Sequence, residues 1–125
     1  MQLIAIAAGG AVGAVLRFVV SGLAYGYLGE GFPWGTLVVN LIGCFIIGFL
    51  SKLFESVAVS PNVRMMVLVG GLGAFTTFST YALENVNLLR DGQLLAALTN
   101  VLASTAVGII CVFLGISLAN LLVTN

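Results

Sequence analysis

Gly70-Gly71-Leu72-Gly73-Ala74-Phe75-Thr76-Thr77-Phe78-Ser79-Thr80-Tyr81 lies in the middle of an apolar run from about Val63 to Leu89. Its three glycines each weaken a helix by roughly 1 kcal/mol relative to alanine. The hydroxyl side chains that follow offer other partners to the freed backbone groups. Non-helical backbone at membrane depth is tolerated only where it is buried in protein or lines a water-filled cavity. The stretch therefore predicts a membrane helix that is broken at the midplane, with an ion site at the break.

The composition predicts a membrane protein without catalytic activity. The chain has 125 residues, is 61% hydrophobic and only 6% charged, and contains no histidine. A soluble domain of this size cannot bury so much apolar surface, so the bilayer must act as its solvent. A net charge of zero without a basic run argues against a nucleic-acid partner. Without histidine, and with Cys44 and Cys111 far apart in apolar runs, a metalloenzyme or a Cys–His nucleophile is excluded.

The hydropathy pattern predicts an all-α membrane protein with one four-span domain over residues 1–125. Each span has the roughly 20 residues that a bilayer crossing needs. Pro33 and Trp34 mark the start of the second span at the interface, and Arg90-Asp91-Gly92 form a tight turn before the fourth. The predicted spans run from about Leu3 to Tyr27, Gly35 to Phe54, Val63 to Leu89 and Leu94 to Val123.

The basic residues are distributed almost evenly between the two sides of the membrane. Lys52 and Arg64 flank the second loop, while Arg90 lies on the opposite side, together with Arg17 if that residue faces it. The positive-inside rule then selects no orientation, so the chain is expected to insert both ways and to pair as an antiparallel dimer. Four helices packed 8–10 Å apart leave little room for a private pore. A conduction path is therefore expected between subunits.

Three polar residues within the spans are candidates for function. Arg17 is surrounded by apolar residues, where insertion costs about 2.5–3.5 kcal/mol, so it either extends to the interface or provides a fixed charge that draws anions into a vestibule. Asn40 can donate to an anion or bond across helices. Glu84, the one acid that falls within a span, either joins a hydroxyl network or marks the membrane boundary.

The break itself leaves two kinds of ion site open. Exposed carbonyls would hold a small cation, whereas exposed N–H groups would favour an anion. Phe75, Phe78 and Tyr81 recur at helical spacing, and such a stripe is either core packing or a set of ring edges that contact an anion. A stripe in the fourth span is either a tight helix seam or a wetted wall; it comprises Asn100, Ser104, Gly108, Cys111 and Gly115.

Three segments resemble those of the Fluc (CrcB-type) fluoride channels, and the likeness extends over essentially the whole chain. They are Gly9-Gly10-x-x-Gly13-Ala14-x-x-Arg17, Gly35-Thr36-Leu37-Val38-Val39-Asn40 and Gly73-Ala74-Phe75-Thr76-Thr77-Phe78-Ser79-Thr80-Tyr81. The resemblance implies a dual-topology, antiparallel homodimer in a bacterial plasma (inner) membrane. It further implies two fluoride pores, one on each side of a structural sodium ion. The implied role is fluoride resistance through passive efflux that lowers cytoplasmic fluoride.

The resemblance also assigns roles to individual residues. Backbone carbonyls of Gly73 and Thr76 would hold the sodium ion at the dimer centre, and Arg17 would lie in the vestibule. Fluoride would pass Asn40, Phe78, Tyr81, Ser104 and Thr77, with Glu84 on a polar track beside the aromatic pair. The chain departs from the family pattern at Tyr81, where phenylalanine is usual, and at Gly108 and Val112, which lack the usual hydroxyl.

Fluoride is small and strongly hydrated, so a pore must replace its water with several weak donors, and a strong charge at the centre would trap the ion. The sequence supplies such donors, and we expect Arg17 to stand away from the broken stretch. The choice of fluoride over chloride comes from the resemblance alone.

Two other functions remain open for a chain of this size. A small dual-topology multidrug exporter would need a titrating carboxylate within the membrane, and the first span has none. A non-transporting membrane assembly protein would use its polar residues only to hold helices together.

Overall fold

The computed structural model describes residues 1–124, which form helices and no strand. We label the helices α1 (Gln2–Leu28), α2 (Trp34–Ser56), α3 (residues 61–75), α4 (Phe78–Arg90) and α5 (Leu94–Val123). Helices α3 and α4 together form the third apolar segment, Pro61–Arg90. All four segments are long and apolar enough to cross a membrane, which confirms the predicted four-span, all-α fold.

The third segment is interrupted at its middle, inside the stretch that the sequence singles out. Thr76 (φ −84°, ψ 161°) and Thr77 (φ −151°, ψ 124°) are extended, between the end of α3 at Phe75 and the start of α4 at Phe78. The glycines themselves remain helical: Gly70 lies in a π-helical part of α3, Met65–Leu72. The interruption therefore comes at the threonines, whose hydroxyls bond to the backbone, and the glycines serve another purpose.

That purpose is contact between backbones. A Cβ atom on Gly9 would overlap the carbonyl oxygen of Met66, and one on Gly13 would overlap that of Gly71. Gly70 faces α1 in the same way, since its Cβ would overlap the Ile6 carbonyl oxygen. Helices α1 and α3 can approach this closely only because the contact positions lack side chains. The first Gly-x-x-x-Gly pair of α1 thus marks a real helix contact.

Helices α2 and α5 meet in a second glycine contact. A Cβ on Gly48 would overlap the carbonyl oxygen of Val112, and one on Gly115 would overlap that of Phe45. The α5 stripe is therefore a tight helix seam at Gly115. The turn before α5 places Gly92 at φ 72°, a conformation that favours glycine, as the predicted tight turn requires.

A candidate ion site at the interrupted helix

Asn40 on α2 stabilises the non-helical backbone at the interruption. Its Nδ2 donates to the Thr77 carbonyl oxygen at 2.9 Å, and its Oδ1 accepts from the Thr77 N–H at 2.9 Å. The Asn40 side chain therefore bonds both the N–H and the carbonyl of Thr77, which is extended and cannot form helical hydrogen bonds. An amide nitrogen carries two hydrogens, so Asn40 retains one more donor. The two uses foreseen for Asn40, bonding across helices and donating to an anion, are compatible.

The same interruption leaves two carbonyls without their ordinary helical donors. In a continuous α-helix the Gly73 carbonyl would accept from the Thr77 N–H, which here goes to Asn40. The Thr76 carbonyl would accept from the Thr80 N–H, which here donates at 3.2 Å to Thr77 Oγ1, the N-cap of α4. Carbonyl oxygens of this kind suit a hard cation. Gly73 and Thr76 thus fit the donor set expected for a sodium ion.

The residues expected to contact fluoride line one groove of about 440 Å³, which we call the aromatic groove. The rings of Phe78 and Tyr81 lie in it with centroids 5.6 Å apart and planes tilted by 45°. Phe78 is 78% exposed and projects from the surface of the chain. No charged side chain is among the residues described along this groove, which are Asn40, Gly43, Cys44, Ile47, Leu68, Leu72, Gly73, Thr76, Thr77, Phe78, Tyr81, Ser104 and Thr105.

The interruption divides the aromatic stripe. Phe75 lies before it, is 7% exposed and lines a separate apolar groove against α1 and α2. Phe78 and Tyr81 lie after it and line the aromatic groove. Phe75 is therefore a core-packing residue, whereas Phe78 is not.

Arg17 lies closer to the interruption than expected. Its guanidinium Nη1 donates to the Thr76 carbonyl oxygen at 3.4 Å, so the expectation that Arg17 stands away from the broken stretch is wrong. The cause is the glycine contact at Gly13, one helical turn earlier, which draws α1 against α3. Arg17 also lines a second groove of about 450 Å³, the arginine groove, which shares Thr77 with the aromatic groove.

Glu84 anchors a hydroxyl cluster between three helices. Its Oε1 accepts from Thr36 Oγ1 on α2 at 2.7 Å and from the Tyr25 hydroxyl on α1 at 3.2 Å. Oε2 is buried and receives no hydrogen bond from residues 1–124. Thr80 and Glu84 are four residues apart and so share one face of α4, and Thr77 Oγ1 accepts from the Thr80 N–H at the start of that helix. Glu84 thus joins a hydroxyl network at one end of a polar face.

A buried chain of polar side chains between α4 and α5 was not predicted from the sequence. Asn85 Nδ2 donates to the Tyr81 carbonyl oxygen at 2.9 Å, and Asn100 Nδ2 donates to Asn85 Oδ1 at 3.2 Å. Ser104 Oγ then donates to Asn100 Oδ1 at 3.4 Å, and Ser104 lines the aromatic groove. The four-residue spacings from Tyr81 to Asn85 and from Asn100 to Ser104 were the available signal.

Comparison with known proteins decides the family. The family model described as CrcB-like protein, Camphor Resistance (CrcB), matches residues 4–116. The chain belongs to the CrcB-like family. It is 48% identical over 123 residues to a fluoride-specific ion channel FluC of Magnetococcus marinus, covering 98% of this chain and all of that one.

Two further relatives carry the same name. A FluC of Chlorobium phaeobacteroides is 48% identical over 120 residues, covering 95% of this chain and 93% of that protein. One of Dehalococcoides mccartyi is 41% identical over 125 residues, covering 99% and 96%. The CrcB-like family is one of ion channels rather than enzymes, which confirms the resemblance stated from the sequence. With its four spans, this CrcB-like chain is a multi-pass membrane protein.

We expect Asn40→Leu to lower the free energy of unfolding by about 1–3 kcal/mol, because Thr77 loses the partners of both its backbone groups. Thermal unfolding in detergent, followed by circular dichroism, measures the loss. Asn62→Leu is the matched control, since Asn62 is exposed at the start of α3. Equal stability of the two variants would show that the Asn40 amide does not hold the interruption.

Proposed function

We propose that this protein is a fluoride channel. The observation that carries the proposal is the aromatic groove, where an amide, several hydroxyls and two tilted rings meet without a charged side chain. Weak donors of this kind replace the water around a strongly hydrated anion, while the absence of a full charge lets the ion leave. The fluoride-specific name of the similar FluC proteins supports the same ion.

Each residue then has a definite task along the path. Arg17 attracts anions into the arginine groove, and Thr77 lies where that groove meets the aromatic groove. The free hydrogen of Asn40 and the positive ring edges of Phe78 and Tyr81 contact the dehydrated ion. Thr77, at the start of α4, and Glu84, within it, form a polar track beside the rings. The flux is passive, so fluoride leaves the cytoplasm down its gradient.

The channel is proposed to work as an antiparallel, dual-topology homodimer with two pores. The support comes from the even distribution of the basic residues and from the shape of the chain. The ring of Phe78 is 78% exposed, so an aromatic edge projects to where a second copy would sit. The aromatic groove is open along one side, and a second copy related by a two-fold axis would close it. Two such copies have two equivalent grooves.

A sodium ion is proposed at the two-fold axis as a structural cofactor. The Gly73 carbonyl lacks its helical donor, and the Thr76 carbonyl accepts a long bond of 3.4 Å from Arg17 in place of its own. The same pair of carbonyls from the second copy would complete an oxygen site. A bound cation would balance the negative ends of four carbonyl dipoles and hold the two interruptions together. Its role is structural, so it does not move with the fluoride.

The first test measures ion efflux from liposomes that contain the purified protein. We expect rapid fluoride efflux, detected with an ion-selective electrode, and little chloride efflux. Phe78→Ile removes a ring edge from the groove and should reduce the fluoride rate strongly while the protein stays folded. Phe113→Ile is the control, because Phe113 is a similarly exposed ring on α5 outside the groove.

The outcomes of this test separate the candidate functions. Absence of fluoride efflux, or equal passage of chloride, contradicts the proposal. Proton-driven movement of a cationic dye would indicate a multidrug exporter, and absence of any transport would indicate an assembly protein. Equal fluoride efflux rates for the Phe78 and Phe113 variants would show that the Phe78 ring does not contact the permeating ion.

The dual topology is tested by labelling single cysteines in the loops of the protein in intact cells. We expect both orientations in comparable amounts, since neither side carries a clear excess of basic residues. Lysines added to the loop between Ser56 and Pro61 should shift the population to one orientation. A single orientation in the unmodified protein contradicts the proposal.

The sodium proposal is tested on the purified protein without any flux measurement. Replacing sodium by N-methyl-D-glucamine should lower the thermal stability and the dimer fraction, because the carbonyls at the interruption would lose their cation. Size-exclusion chromatography and thermal unfolding report the two effects. Choline in place of N-methyl-D-glucamine is the control for the replacing cation. Identical stability with and without sodium would exclude a structural sodium ion.

A further inference from the structure

The chain of bonds between α4 and α5 has only one possible direction. It begins at the Tyr81 carbonyl oxygen, which can only accept, so Asn85 must present its nitrogen there. Its oxygen then faces Asn100, which must present a nitrogen in turn. The remaining Asn100 oxygen can only accept, so Ser104 must donate. A single backbone carbonyl thus fixes both side-chain amides and one hydroxyl rotor.

This direction matters because Ser104 lines the aromatic groove. A serine hydroxyl has one hydrogen, and here that hydrogen points to Asn100, so the groove meets the oxygen lone pairs. An anion needs a donor at this place. To donate to the anion, the hydroxyl must rotate away and leave Asn100 Oδ1 without that bond. Asn100 is only 1% exposed, so water cannot easily replace the lost donor.

We propose that Asn85 and Asn100 are positioning residues that hold the Ser104 hydroxyl away from the permeating anion. They weaken ion binding at Ser104, because every donation to the anion breaks the bond to Asn100. That bond is long, at 3.4 Å, so the hydroxyl can still rotate. Weak binding at this step lets the ion leave, as conduction requires. This inference rests on the proposed fluoride channel and adds two residues that do not themselves line the aromatic groove.

The test is a double-mutant cycle on fluoride efflux from liposomes. Asn85→Leu with Asn100→Leu replaces both buried amides by apolar groups, which a fold tolerates better than an unpaired amide. We expect this pair to raise the efflux rate at low fluoride concentration several-fold, because Ser104 is then free to donate. In a Ser104→Ala background the same pair should have no effect, since no hydroxyl remains to be held. The cycle therefore isolates the coupling to Ser104.

The single variant Asn85→Leu should also free the Ser104 hydroxyl, with one substitution instead of two. Without Asn85 the Asn100 amide can turn its nitrogen to Ser104, so the serine oxygen accepts and its hydrogen is released. This single variant should also raise the rate at low fluoride, again only where Ser104 is present. Asn87→Leu is the matched control, because Asn87 lies on the same helix but is exposed, and it should keep the unmodified rate.

The result that overturns the inference is an equal change in both backgrounds, or an unchanged or lowered rate where Ser104 is present. A merely structural role of the asparagines gives the first of these outcomes. The unmodified protein, measured alongside with fluoride and chloride, tests the channel itself. A failed channel shows no selective fluoride efflux at all. A failed positioning role leaves selective efflux intact and removes only the dependence on Ser104.

Discussion

The pairing of the Asn40 side chain with the Thr77 backbone is the interaction on which the rest of the site depends. Two residues leave the helix at the centre of an apolar segment, and their backbone groups need partners there. Asn40 provides both partners for Thr77 from a neighbouring helix. Because the Thr77 N–H is taken, the Gly73 carbonyl is released. The release of the carbonyl that is proposed to bind a cation is therefore a consequence of one amide.

The glycines bring the helices around this site into direct backbone contact. Helix α1 contacts α3 through Gly9 and Gly13, and the contact carries Arg17 to the Thr76 carbonyl. Helix α2 contacts α5 through Gly48 and Gly115, which fixes the groove wall that carries Ser104. Small residues at such positions let the backbones approach this closely. The positions of the polar groups along the groove thus depend on helix contacts made through glycines.

Periodicity and composition were sufficient for the coarse structure. Four apolar runs, a proline with Trp34 and the Gly92 turn predicted the helices, because span length and turn chemistry are local properties. The interruption was also predicted within the stretch from Gly70 to Tyr81, and it occurs there, at Thr76 and Thr77. Hydroxyl groups that bond to the backbone decided its position, and glycine propensity did not, since the glycines gain more from contact with α1.

Non-local geometry was beyond the reach of the sequence. The reach of Arg17 to the interruption depends on how closely α1 approaches α3, and no property of the first span alone gives that distance. The split of the aromatic stripe follows from the change of direction at Thr76, because a stripe drawn on a continuous helix puts Phe75 beside Phe78. Asn85 and Asn100 pair only once the turn at Gly92 brings α4 and α5 together.

Amide hydrogen exchange at Thr77, resolved by nuclear magnetic resonance on the unmodified protein in lipid bilayers, tests the central interaction directly. Thr77 is extended and outside both helices, yet its N–H is bonded to Asn40. We predict that its exchange is as slow as that of the helical residues of α3. Exchange as fast as that of Gly31 in the open loop would contradict the interaction and, with it, the site built upon it.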